Sequence, residues 1–372
     1  MKNLVILGAG TAGTMMANHL VKKLNKKEWQ ITLVDQFKSH YYQPGFLFIP
    51  FGTYQPEDVK RTIDEFLPKG IQLIREKIDR IDKDTDTVIL ENGRNVKYDI
   101  LIIATGCKIA PEEVPGMKGD TWQKNIFDFY TFEGSCALAK KLETWPGGKL
   151  VVHITEMPIK CPVAPLEFAF LADDYFTKKG MRDKVEISYV TPLSGAFTKE
   201  KCTKALEYLL KDKNIKIVPD FAVEHIEGEN GKMFDYGGEV VDFDLLVTVP
   251  TNMGDECILR SGFGDDLNYV PTDKNTLQSK VKENIFVIGD ATNVPASKAG
   301  SVAHFEAEIL TENILKYIEG KPLNPKFDGH ANCFIETGKG KALLIDFNYD
   351  VEPLKGKFPF AGIGPLNLLE ES

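Results

Sequence analysis

Residues 1–35 constrain this chain more than any other stretch. An apolar segment, 2–7, runs directly into Gly8-Ala9-Gly10-Thr11-Ala12-Gly13; Met15, Leu20, Val21 and Leu24 then recur at helical spacing, and a second apolar segment, 29–34, ends in Asp35. This is G-x-G-x-x-G inside a complete strand, helix, strand frame. The first glycine permits a tight turn, the second lets the backbone approach a pyrophosphate, and the third lets helix and strand pack closely. The helix N-terminus adds free N–H groups and partial positive charge. An acid at the tip of the second strand, Asp35 followed by Gln36, suits ribose hydroxyls. A glycine turn of purely structural use would not require that acid, so the expectation is a dinucleotide site.

With 372 residues the chain has room for two or three domains, and its hydrophobic (43%) and charged (27%) contents are those of a globular protein. The net charge is −9 and Lys and Arg are scattered, which argues against a nucleic-acid partner. No signal-peptide pattern precedes the first strand and no run of about eighteen apolar residues occurs. A protein on the cytoplasmic side, without an export signal, is expected. The cysteines, at 107, 136, 161, 202, 257 and 333, contain no C-x-x-C, and the six histidines are dispersed. Neither spacing suits a zinc site or a secreted disulfide framework, and no metal is expected.

The stretch from His40 to Pro50 is rich in aromatics and broken by Pro and Gly. It suits a loop and short helix lying against a planar ring system, or an ordinary loop covering the core. Segments 71–78 and 87–90 read as strands of a small meander, with Asn92-Gly93 as its turn. Segment 97–106 reads as a buried strand ending in Ala104-Thr105-Gly106, the small-residue turn with which two-domain flavoproteins close the first part of the FAD domain. Ile78 is placed with this turn among the cofactor contacts. A helix over 132–142 then precedes a buried strand, 148–154. In flavoproteins that use NAD(P)H, a second glycine fingerprint stands after this strand. Here Thr155-Glu156-Met157-Pro158-Ile159-Lys160-Cys161-Pro162 contains no glycine, so the expected second domain keeps the nucleotide architecture without its nicotinamide nucleotide.

Cys161 stands just before a helix whose first turn takes Pro162 and Pro165 and whose apolar face is Leu166, Ala169, Phe170, Ala172 and Phe176. A thiol at a helix N-terminus has a lowered pKa. Glu167 lies in the same first turns, either complementing the helix dipole or carrying protons beside the sulfur. Strands over 185–191, 215–218 and 245–249 and a helix over 199–210 complete the second domain. Segment 283–291 is a strand ending in Gly289-Asp290, and a helix follows over 302–319. In FAD enzymes of this build the Asp holds the ribityl chain. The helix N-terminus and Lys298 would stabilise negative charge on reduced flavin. Together with Gly8 to Gly13, this second signature points to FAD rather than NAD.

The Gly8 to Gly13 fingerprint, Lys160-Cys161-Pro162 in place of a second nucleotide loop, Gly289-Asp290 with Ser297-Lys298, and Cys333 opening a hairpin together resemble the sulfide:quinone oxidoreductase family over nearly the whole chain. The resemblance implies an α/β fold of two Rossmann-like domains and a short C-terminal extension. The expected divisions are 1–110 and 275–328 for the FAD domain, 111–274 for the second domain and 329–372 for the C-terminal segment. It implies that Cys161 and Cys333 act as a redox pair on hydrogen sulfide, forming polysulfide or passing sulfur to a small thiol acceptor, with electrons leaving through FAD to a quinone held by Phe334, Phe358 and Phe360. Those phenylalanines could equally be core. Members with a third essential cysteine carry it ahead of the central strand, often linked to FAD; Cys136 lies inside the helix instead, so noncovalent FAD and a core role for Cys136 are expected. The family's membrane-seated tail helices would begin where this chain stops, at Glu370-Glu371-Ser372, which leaves peripheral membrane attachment open, as is homo-oligomer formation. The rivals are an NADH:quinone oxidoreductase, a flavocytochrome-type sulfide dehydrogenase and a flavin-bound sensor. Cys107, directly after the Ala-Thr-Gly turn, is placed near the flavin or in the fold.

Overall fold

A computed structural model describes residues 1–352 and 369–371. The chain divides into two units, residues 1–41, 60–108 and 253–331 forming the first and residues 42–59, 109–252 and 332–372 the second. In chain order the first unit supplies β1 (Lys2–Leu7), α1 (Thr11–Lys23), β2 (Trp29–Val34), β3 (Ile71–Ile74), β4 (Ile78–Asp82), β5 (Thr87–Leu90), β6 (Asn95–Lys97) and β7 (Ile100–Ile103). The second supplies β8 (Ile126–Phe127), α2 (Phe132–Thr144), β9 (Gly148–Ile154), α3 (Ala164–Lys178), β10 (Val185–Val190), α4 (Glu200–Asp212), β11 (Lys216–Val218) and β12 (Leu245–Val249). The chain then re-enters the first unit with α5 (Glu256–Ser261), β13 (Ile285–Val287) and α6 (Gly300–Ile318), and ends in a hairpin, β14 (Ala331–Gly338) and β15 (Lys341–Phe347).

In the first unit a parallel sheet runs in the order β13-β7-β1-β2-β3. Its central strands are buried on both faces, and so read as unbroken apolar runs rather than alternating ones. The antiparallel meander β4-β5-β6 packs through Ile81, Val88, Leu90 and Val96 onto a cluster that includes Val5, Leu7 and Ile103. The expected strand over 71–78 is thus two strands. It breaks at Arg75 to Lys77, where β3 leaves the parallel sheet and β4 enters the meander.

The second unit repeats the pattern, with a parallel sheet in the order β8-β12-β9-β10-β11. Strand β9 is flanked by β12 on one side and β10 on the other, so the chain leaving its carboxyl end emerges at the point where strand order reverses. Open α/β sheets bind their ligands at this position. In the first unit the chain after β1, between β7 and β2, occupies the equivalent place.

The divisions differ from the sequence expectation at three points, the first being that the C-terminal segment, expected to stand by itself over 329–372, is counted with the second unit from Asn332. Residues 42–59 belong with the second unit, because Phe46 packs against Phe132 of α2 and Phe51 against Phe168 of α3. The return to the first unit falls at Met253 rather than 275. Helix α5 is held to β4 there, with Arg260 Nε donating to the Asp79 carbonyl (2.7 Å) and the Ile81 N–H to Ser261 Oγ (2.8 Å). Among the described residues no helix is long and apolar enough to cross a membrane.

Candidate active site

The first unit carries a nucleotide cradle. Strand β1 ends at Leu7 and the chain turns at Gly8, whose φ of +95° excludes most side chains. A Cβ on Gly8 would overlap the Ala104 carbonyl, and one on Gly13 would overlap the Gly8 carbonyl. Thr11 opens α1, Thr14 N–H closes its first bond on the Gly10 carbonyl (3.0 Å), and a Cβ on Gly10 would meet nothing within 4 Å. The N-terminus of α1 therefore faces open space. Asp35 Oδ2 accepts from Ala9 N–H (2.6 Å) and Oδ1 from Phe37 N–H (2.7 Å), so the acid expected to meet a ribose also fixes the glycine loop. Burial raises its pKa. Two oxygens have lone pairs to spare for a sugar hydroxyl. Gln36 is exposed beside it, whereas Ile78 packs onto the apolar cluster and its carbonyl accepts from Arg260.

After β7, Ala104 N–H bonds the Leu7 carbonyl (2.8 Å), Gly106 turns at φ +68°, and Thr105 Oγ1 is buried without a protein partner. Gly289, at φ +69°, is wedged so that a Cβ would lie 3.2 Å from Ala12. Its N–H donates to Glu306 Oε2 (2.7 Å). Lys298 Nζ donates to the carbonyls of Asp290 (2.9 Å) and Thr292 (2.7 Å) and lies 3.8 Å from the Tyr269 ring centre. Lys298 is thus a strut for the Gly289-Asp290 turn, with its pKa lowered by burial, a role its sequence context did not suggest. Cys107 Sγ lies 3.9 Å from Asp290 Oδ2. Two close glycine approaches, an open helix N-terminus and an orphaned buried hydroxyl fit a bound dinucleotide.

The second unit carries Cys161, Glu167 and Cys333, and the charges of Glu167 and Cys333 bear on the Cys161 thiol. The chain after β9 is pinned by Lys160 N–H to Asn252 Oδ1 (3.0 Å) and by Tyr130 Oη to the Cys161 carbonyl (3.1 Å). Cys161 itself has φ +44°, a left-handed conformation that costs a β-carbon residue on the order of 1 kcal/mol. Val163 caps α3, and its N–H and that of Ala164 favour a Cys161 thiolate. Desolvation nevertheless prevails, and with the charges of Glu167 and Cys333 it holds the Cys161 thiol well above its ordinary pKa. The lowered pKa expected from the helix terminus is therefore overturned, because burial penalises the thiolate more than two N–H groups reward it. Cys333, near the start of β14, is pushed up to about 12 by burial and by Glu167 and Asp346.

Glu167 is 5% exposed, and its Oε1 accepts from Glu336 N–H of β14 (3.1 Å). Burial pushes its carboxyl up to about 8. A carboxyl neutral at pH 7 complements a helix dipole poorly and holds a proton readily. Folded Glu167 keeps that proton up to about pH 8, whereas the ordinary value is 4.5. The stability it brings is whole below 4.5 and is lost as pH rises through 8. Glu167→Gln, which keeps the acceptor but does not titrate, is expected to flatten that loss by on the order of 1 kcal/mol per pH unit in denaturant unfolding.

Phe334 is exposed on β14, and Phe358 and Phe360 lie outside the described residues. Cys136 is half-buried on α2 rather than fully in the core, while Cys202 and Cys257 are buried. No cluster of ligands able to hold a metal occurs among the described residues. Tyr130, Asn252 and Glu306 were not singled out in sequence; only Glu306 carried a signal, a charge on the apolar stripe of α6.

Two parallel nucleotide-type sheets, one with a dinucleotide cradle, are those of an FAD-dependent α/β oxidoreductase, and residues 2–152 match the pyridine nucleotide-disulphide oxidoreductase family. The chain is similar to the sulfide:quinone oxidoreductases over most of its length. It is 28% identical to the mitochondrial sulfide:quinone oxidoreductase of Dictyostelium discoideum over 94% of this chain and 78% of that one. The crystal structure of the sulfide:quinone oxidoreductase from Aquifex aeolicus superposes with a TM-score of 0.81 over 94% of this chain and 84% of that one, at 23% identity, a likeness of fold. A type II NADH:quinone oxidoreductase of Staphylococcus aureus is 29% identical over 96% of this chain and 92% of that one.

Proposed function

We propose that this protein oxidises hydrogen sulfide through Cys161 and Cys333 and passes the electrons through noncovalently held FAD to a quinone. What supports the reading is that Cys161, just past β9 where a nucleotide-type sheet would otherwise hold nicotinamide phosphates, feels the charges of Glu167 and Cys333, with Glu167 hydrogen-bonded to the strand that carries Cys333. Hydrosulfide attacks Cys333 in a Cys161–Cys333 disulfide; the S–S bond breaks, a persulfide forms on Cys333, and Cys161 leaves. A thiolate leaving group is poor where burial raises its pKa, so Glu167 gives Cys161 its proton and later takes it back. Joining the Cys333 persulfide to the Cys161 thiolate as a trisulfide releases one proton and two electrons. Gly8 to Gly13, Asp35, Thr105 and Asp290 would hold FAD, which would supply the two-electron acceptor and the link to the quinone. Further sulfide releases the bridging sulfur as polysulfide, or a small thiol removes it. Phe334 offers an exposed aromatic face to a quinone, and the attachment to a membrane that a lipid-soluble quinone requires is peripheral.

The NADH:quinone reading needs a phosphate loop after β9, and residues 155–163 have no glycine to let a pyrophosphate approach. Anaerobic stopped-flow mixing with sulfide should bleach the flavin within the instrument's range, and a soluble quinone analogue should restore its colour. With NADH the bleaching should be slower by about a hundredfold or more, the effect expected when a cofactor's binding contacts are missing. Rapid bleaching by NADH and none by sulfide would reverse the assignment.

A further inference from the structure

The Gly289–Ala291 turn is gripped from both sides by buried ionisable side chains. Glu306, 1% exposed, accepts the Gly289 N–H at 2.7 Å, and Lys298, 7% exposed, donates to the carbonyls of Asp290 and Thr292. The buried face of α6 is otherwise largely apolar, with Val302, Ala303, Ala307, Leu310 and Ile314. A carboxyl there costs free energy that a leucine would not, so its place calls for a task. We propose that Glu306 is a positioning residue of the FAD site that also holds the proton taken up when the flavin is reduced.

The grip on Gly289 sets where Asp290 stands, which gives the positioning role. The proton follows from electrostatics. A cofactor held by this turn would bring negative charge toward a buried carboxyl when it is reduced, and added negative charge raises a carboxyl's affinity for a proton. Glu306 passes from carboxylate to acid, the proton comes from solvent, and reoxidation returns it. Burial already pushes Glu306 up to about 8, with Asp290 raising it and Lys298 lowering it, so the exchange falls in an accessible pH range. Among the described residues those two are the charged groups that bear on it. Helix α1, packed along α6, presents His19 to Thr311, more than a turn further along, and His304 of α6 pairs with Glu308 at the surface.

This inference rests on the FAD reading and not on sulfide as the substrate, so the test uses dithionite. Holoprotein is reduced anaerobically at about pH 8.5 in weak buffer with an indicator dye, and wild type is expected to take up about one more proton per flavin than Glu306→Gln. The amide still accepts the Gly289 N–H, so this variant should hold FAD nearly as wild type does. Glu306→Leu should bind FAD about tenfold more weakly or worse, having lost a hydrogen bond to an ionisable group. Equal proton counts in wild type and Glu306→Gln would overturn the proton role, and undiminished FAD affinity in Glu306→Leu would overturn the positioning role. Should the leucine variant fail to fold, the isosteric glutamine variant still decides the proton count. A protein that shows the extra proton but ignores sulfide would refute only the sulfide reading.

Discussion

Cys161→Ser and Cys333→Ser each lose sulfide-dependent flavin reduction by about a thousandfold or more, the scale on which removing a covalent nucleophile acts. Both variants should keep their FAD, because neither cysteine lies in the unit that carries the cradle. Serine is close to cysteine in size, so the loss reads as chemistry rather than packing. Stopped-flow absorbance of the flavin under anaerobic sulfide measures it, and dithionite serves as the control reductant. Because the two thiols act as one device, the double variant should be no slower than either single one. A single variant that bleaches at the wild-type rate would remove the cysteine pair from the mechanism.

Gly13→Val should yield a protein that neither holds FAD nor folds with full stability, with a loss of about 1–3 kcal/mol in denaturant unfolding. The added Cβ would collide with the backbone carbonyl of Gly8, which cannot rotate away as a side chain could. Gly10→Ala makes the informative contrast. Nothing in the protein lies within 4 Å of its added methyl, so stability should hold within about 0.5 kcal/mol while FAD affinity falls. A Gly10→Ala protein with unaltered FAD affinity, read by flavin fluorescence, would mean that the pyrophosphate does not approach the loop as the fingerprint implies.

The cradle was legible because its information is local. The β1-α1-β2 frame is written in hydrophobic periodicity, and its glycines are required by contacts within the frame or with the neighbouring strand. The same holds for Gly289-Asp290 and for the missing second glycine loop. The unit boundaries were less legible. Whether 42–59 and 253–274 join one unit or the other depends on Phe46 meeting Phe132, Phe51 meeting Phe168 and Arg260 meeting β4, pairings between residues distant in sequence.

The sequence by itself determined the two nucleotide-type sheets and the dinucleotide fingerprint, since spacing and residue type suffice for these, while its resemblance to a known family said which two cysteines to watch. Only the tertiary structure decided that Cys161 is a reluctant thiolate, that Glu167 and Glu306 hold protons up to about pH 8, and that Lys298 braces a turn. A helix terminus can be read along the chain. The desolvation that outweighs it depends on every element packed around the sulfur, and no single stretch of the sequence contains that sum.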